Sequence, residues 1–104
     1  LTDETRHLID ADAMAAMPAG AVLINTSRGG IVDEIALIGA LRSGHLGGAA
    51  VDVFANEPLD GDTGERFRNV PNLLLTPHVA GITVESEERV GHTVVRQVCQ
   101  VLGA

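Results

Sequence analysis

The chain has 104 residues, 45 % of them apolar, and its only aromatics are Phe54 and Phe67. It is long enough for one small domain, whose core must be built from Val, Ile, Leu and Ala. A net charge of −7, from 14 acids against seven arginines and no lysine, argues against a nucleic-acid partner and against anionic membrane surfaces. A single cysteine, Cys99, forms no internal disulfide and fits a reducing compartment. No signal peptide and no membrane-length apolar run is found, so the default expectation is a cytoplasmic protein.

Leu1 to Ile9 reads as a polar loop that starts without an initiator Met, as if inside a larger fold. Asp10 or Asp12 can cap a short helix over Ala11–Met17, stopped by Pro18 and Gly20. AVLIN (21–25) is a short apolar run of strand character. Asp33 can cap a helix to about Arg42, with Ile35, Ile38 and Leu41 on one face and Gly44 as its stop. GAAVDVF (48–54) is the second strand run, and 55–71 reads as a polar loop rich in acids. NLLLT (72–76) is the third strand run and ends at Pro77. Thr83 can cap a final helix to about Leu102, with Glu85, Glu87 and Glu88 at its positive end. Val94, Val98 and Val101 are its expected buried stripe, and Cys99 beside them is expected to be a core residue.

Short continuous apolar runs alternating with helices read as buried parallel strands. The fold class is therefore α/β: half of a doubly wound parallel sheet, Rossmann-like, with three strands and flanking helices. A whole dinucleotide-binding domain has about six strands and a G-x-G-x-x-G turn after the first. No such turn occurs here. The expectation is that residues 1–104 are the C-terminal portion of a nucleotide-binding domain. Half a sheet leaves apolar surface uncovered, so the chain is also expected to self-associate.

Ligands of open parallel sheets bind beyond the carboxyl ends of the strands. The three runs deliver Arg28, Asp52, Glu57 and His78 to that rim. Arg28 precedes Gly29 and Gly30, which remove side chains that would crowd a ligand. Its guanidinium can grip a carboxylate through two hydrogen bonds and polarise a carbonyl. The alternative is a solvated loop arginine. His78 follows Pro77 and can exchange a proton near neutral pH, although a histidine after a strand is often only structural. Glu57 is either a surface acid or the carboxylate that orients the histidine ring. Asp52 sits in an apolar run, where an unpaired carboxylate is costly. It should lie at the strand's exposed end or be hydrogen-bonded, with a ligand amide as one candidate donor. His7, His45 and His92 carry no implied partner. Asp60-Gly-Asp62-Thr-Gly-Glu65 hints at a calcium loop, but the closing acid would fall on Pro71.

The stretch LINTSRGGIVDEIALIGALRSGHLGGAAVDVFANEP, followed by NLLLTPHVAG, strongly resembles the NAD(P)-dependent D-2-hydroxyacid dehydrogenases, the phosphoglycerate dehydrogenase-like enzymes among them. Three separated motifs occur in family order, and the likeness covers nearly the whole chain. The resemblance implies that Arg28 binds the substrate carboxylate and carbonyl. It implies that Asp52 contacts the nicotinamide carboxamide, that Glu57 pairs with the catalytic histidine, and that His78 is the general acid–base. Thr26, Ser27, Ala80 and Gly81 are implied to lie near the nicotinamide. The implied cofactor is NAD, with NADP left open, and the implied substrate is a small 2-hydroxy or 2-keto acid. The family's glycine fingerprint and most of its substrate domain are absent from these residues. A formate dehydrogenase is a rival reading, which Glu57 argues against. A nucleotide-sensing corepressor on the same fold is another.

Overall fold

A computed structural model describes residues 1–103. In chain order the elements are α1 (Ala11–Ala16), β1 (Val22–Asn25), a 3-10 turn (Gly29–Ile31), α2 (Glu34–Arg42), β2 (Gly48–Val51), α3 (Gly61–Glu65), β3 (Leu73–Leu75) and α4 (Val84–Leu102). The strands form one parallel sheet in the order β1-β2-β3. Asn25 is paired with Val51 and Val51 with Leu75, so the three carboxyl ends finish level with one another.

The caps follow local chemistry. Asp10 accepts from the Ala13 amide, Asp33 from Ile35 and Ala36, and Thr83 from Ser86. Each satisfies amides that the first helical turn leaves without partners. Gly44, at φ +77°, supplies the left-handed residue just past α2.

α1 and α2 cover one face of the sheet. Met14, Leu37, Leu41 and Leu46 pack there with Leu23, Ala49 and Val51. Phe54 and Phe67 close the rim end, ring edge to ring face with centroids 5.6 Å apart. The other face is bare. Ile24, Ala50 and Leu74 are register partners across it, and Val22, Ile24 and Leu74 are all exposed.

Several expectations are corrected. The second strand ends at Val51 rather than at residue 54, because the ladder stops where β3 stops. The expected loop 55–71 contains α3, whose start is fixed by reciprocal bonds between Asp60 and Thr63. On α2 the inward face is Glu34, Leu37, Ile38 and Leu41, whereas Ile35 is exposed. The stripe Val94, Val98 and Val101 is exposed, and Cys99 is half-buried rather than in the core. No residue of α4 is buried, because nothing among the described residues packs along it. Among the described residues no helix is long and apolar enough to cross a membrane.

Candidate active site

The first component of the rim is the turn after β1. Asn25 is buried, its side-chain oxygen accepts from the amide and hydroxyl of Ser27, and its Nδ2 donates to the Arg28 carbonyl. This fixes the backbone of 26–28. Arg28 donates one guanidinium hydrogen to the Ser27 carbonyl at 2.7 Å. No carboxylate among the described residues pairs with it. The rest of its planar donor set faces solvent, free for an oxyanion.

The two glycines after Arg28 have a different use from the one expected. A Cβ on Gly29 would lie 1.9 Å from the Phe54 carbonyl carbon, and one on Gly30 would meet the Leu1 side chain at 2.7 Å. Their missing side chains admit protein, not ligand. The backbone of Phe54 and Ala55 fills the space beside Gly29, so the arginine turn and the segment after β2 are packed together.

That segment carries the acids. Glu57 accepts from the Phe54 amide through Oε1 at 2.9 Å, and its Oε2 lies 2.7 Å from Nδ1 of His78. The hydrogen bond from His78, then that from the Phe54 amide, holds the Glu57 carboxyl below the usual glutamate range. With Nδ1 engaged, the other ring nitrogen of His78 remains for a ligand.

Asp52 is buried, and both of its carboxylate oxygens accept hydrogen bonds. Its Oδ1 accepts from the Thr76 hydroxyl at 2.6 Å and the Val79 amide at 2.9 Å, and its Oδ2 from the Ala80 amide at 2.9 Å. The Thr76 bond first, then the two amides, hold its carboxyl below the usual aspartate range. These three bonds bracket His78, whose φ of +56° is a left-handed conformation that a side chain rarely adopts. Such a conformation costs on the order of 1–2 kcal/mol. Asp52 offsets it from both sides and so fixes where the imidazole points.

Arg28, Asp52 and His78 line one cleft of about 570 Å³ together with Thr26, Gly81 and Ile82. His78 also lines an apolar cleft of about 700 Å³, shared there with Glu57, Phe54, Pro58, Leu59, Leu75 and Pro77. Ser27 and Ala80 do not line the first cleft; their polar groups are used in holding its walls. His45 is a structural residue, bonded to the Met14 carbonyl, and His7 faces Asp33 at 3.8 Å. Sequence reasoning missed Asn25, Glu34, Thr76 and Ile82. For Asn25 and Thr76 the signal was present: a polar residue closing an apolar strand run.

The family model described as D-isomer specific 2-hydroxyacid dehydrogenase, NAD binding domain, matches residues 1–80. The chain belongs to this family. It is 52 % identical over 103 residues to (S)-sulfolactate dehydrogenase of Chromohalobacter salexigens, covering 99 % of this chain and 33 % of that enzyme. Among solved family structures, the D-isomer specific 2-hydroxyacid dehydrogenase of Xanthobacter autotrophicus Py2, in complex with NADPH and MES, superposes with a TM-score of 0.72 at 50 % identity. That match covers 81 % of this chain and 27 % of the other. D-lactate dehydrogenase of Aquifex aeolicus, complexed with NAD and lactic acid, superposes at 0.82 with 32 % identity, over 99 % of this chain and 35 % of that one. The chain thus spans about a third of the length of these relatives. Its three parallel strands and flanking helices are a Rossmann-like part of the family's fold.

Proposed function

We propose that this chain carries the catalytic rim of a dehydrogenase that moves a hydride between a nicotinamide cofactor and C2 of a small D-2-hydroxy or 2-keto acid. The observation that carries this reading is the 2.7 Å Glu57–His78 pair, whose imidazole shares a cleft with Arg28, an arginine that no carboxylate among the described residues pairs with. In reduction, Arg28 holds the substrate carboxylate and stabilises charge on the carbonyl oxygen. Protonated His78 keeps Nδ1–H on Glu57 and gives its Nε2 proton to that oxygen; in oxidation the neutral ring takes the proton back. NAD(P)H, when bound, supplies the hydride, and NAD(P)⁺ takes it in the reverse direction. The Glu57–His78 pair is equipment for proton transfer, which formate oxidation does not need.

The residues present fit the nicotinamide end of such a cofactor. Asp52 reaches the cleft with an Oδ2 that accepts only one bond, leaving a lone pair for a carboxamide N–H. Thr26 and Gly81 line the same cleft, and a Cβ on Gly81 would meet nothing within 4 Å. The pair Gly29–Gly30 is filled by protein and offers no cradle for a pyrophosphate. This supports assigning residues 1–104 to the C-terminal portion of the nucleotide-binding domain, and weak NADH binding by the chain alone. The bare sheet face and the exposed stripe of α4 support self-association. The free Cys99 fits a cytoplasmic setting.

The test is NADH oxidation with glyoxylate, hydroxypyruvate and related 2-keto acids by the complete dehydrogenase polypeptide carrying these residues, with and without His78→Ala. Loss of most turnover with NADH binding retained is the expected result. Full turnover by His78→Ala would overturn the assignment.

A further inference from the structure

Glu34 has no place in the chemistry above, yet it is one of only three buried polar side chains among the described residues. It is the first residue of α2, beside the capping Asp33, where a carboxylate is favoured by the helix dipole. It does not turn back onto its own helix. Its Oε1 accepts from the Ala55 amide at 2.7 Å, 21 residues along the chain, and its Oε2 faces Nη1 of Arg66 at 3.4 Å.

The segment receiving that bond lies beyond β2 and has no ladder partner to shape it. Its amides are held individually. The Phe54 amide is held by Glu57 Oε1 and the Ala55 amide by Glu34 Oε1. Two consecutive amides are thus taken by two carboxylates from different parts of the chain. The same backbone rests on Gly29. Glu34 therefore clamps the segment against the arginine turn. The position of Glu57 depends on that clamp, since Glu57 is anchored only to Phe54 within the segment and to His78 across the cleft.

We infer that Glu34 is a positioning residue for the acid–base pair: through Ala55 it holds the 54–57 segment so that Glu57 meets Nδ1 of His78. Its consequence for catalysis rests on the dehydrogenase reading, but the geometry does not. Arg66 is the accessory: it faces Oε2 with a guanidinium and leaves Oε1 to the amide. A part-buried amide that loses its acceptor disfavours the closed segment.

The test reads the Glu57 carboxyl directly, by carbon-detected NMR of the full 104-residue chain across the acid range. Glu57 titrates low because His78 and the Phe54 amide bond to its ionised form. In Glu34→Ala the segment is released, and the Glu57 titration is expected to rise toward the ordinary glutamate range. Glu34→Gln keeps an acceptor for the Ala55 amide and is expected to retain most of the lowering. Should Glu34→Ala not fold, Glu34→Asp serves instead: it keeps the charge at the helix start, draws the carboxylate back by one methylene, and is expected to raise the titration likewise. A Glu57 titration unchanged in a folded Glu34→Ala or Glu34→Asp chain would overturn the inference. This readout needs no substrate and no turnover, so its failure is distinct from failure of the dehydrogenase reading. In the complete enzyme Glu34→Ala and Glu34→Asp should lower kcat/KM by about tenfold or more with NADH affinity nearly unchanged, and Glu34→Gln by much less.

Discussion

Replacing Gly29 by alanine tests the packing of the two site loops. A methyl there would stand 1.9 Å from the Phe54 carbonyl carbon, 2.1 Å from its oxygen and 2.4 Å from the Ala55 nitrogen. Ordinary carbon contacts begin near about 3.5 Å, so the loops must part by about 1.5 Å. The atoms struck are backbone, tied down through the amides of Phe54 and Ala55, and cannot swing aside. Overpacking costs roughly 1–3 kcal/mol, and backbone opposition places Gly29→Ala at about 3 kcal/mol. For a chain of this size that lowers Tm by more than about ten degrees. Gly30→Ala is the control: its methyl meets the far ends of two side chains, the exposed Leu1 at 2.7 Å and Arg6 at 3.7 Å, and should cost below about 0.5 kcal/mol. Urea unfolding of each chain, followed through the methyl NMR signals of Leu37 and Leu41, gives the two values. Equal stabilities for the two variants would refute the claim that the loops are packed through Gly29.

Other outcomes follow from the same geometry. In the complete enzyme Arg28→Lys keeps the charge and loses the planar fork; one charge-assisted hydrogen bond is worth roughly 1.5–3 kcal/mol, so kcat/KM should fall about tenfold or more. Unchanged kcat/KM would remove Arg28 from the site. Glu57→Gln withdraws the carboxylate that receives Nδ1 of His78, so kcat/KM should fall in both directions while NADH affinity changes little. Unchanged kcat/KM in both directions would break the proposed pair. Asp52, Glu57 and Asp60 all titrate below their ordinary ranges in the folded chain. Below those ranges the unfolded chain binds more protons, so their stabilisation is complete above the ordinary carboxylate values and lost as pH falls through the lowered ones. The urea midpoint should therefore hold from pH 7 to about 5 and decline below about 4, less steeply in Asp52→Asn; a midpoint indifferent to acid would contradict this.

The rim was legible because each strand run ends in a polar residue at the same level of one sheet. Arg28, Asp52, Glu57 and His78 could be collected without knowing a single contact. The caps Asp10, Asp33 and Thr83 were legible for a local reason, since a cap acts within three residues of itself. What was hidden is non-local. Glu34 looks like any acid at a helix start, and its bond to Ala55 spans 21 residues. The inward face of α2 turns on whether Ile35 or Leu37 meets the sheet, and both choices have helical spacing. The stripe Val94, Val98 and Val101 has the periodicity of a buried face, but periodicity only states that a helix could be covered, not that a cover is at hand. The glycines after Arg28 were recognised as a demand for space; that the space belongs to Phe54 could be seen only in three dimensions.

The isolation of α4 bears on how this molecule unfolds. The helix contributes nothing to the cluster of Met14, Leu37 and Leu46, and the described chain extends 57 Å along its long axis against 24 Å across the short one. A 19-residue helix without tertiary support is only marginally stable in water. Loss of α4 therefore exposes no core and should occur with low cooperativity, as a separate unit from the sheet. On heating, far-ultraviolet ellipticity, to which α4 is the largest helical contributor, should begin to decline before the core methyl signals change. Anything that settles on the Val94–Val98–Val101 stripe will then do two things at once: it will cover apolar surface and draw the helix into the cooperative unit, so that folding of α4 and its association become one equilibrium.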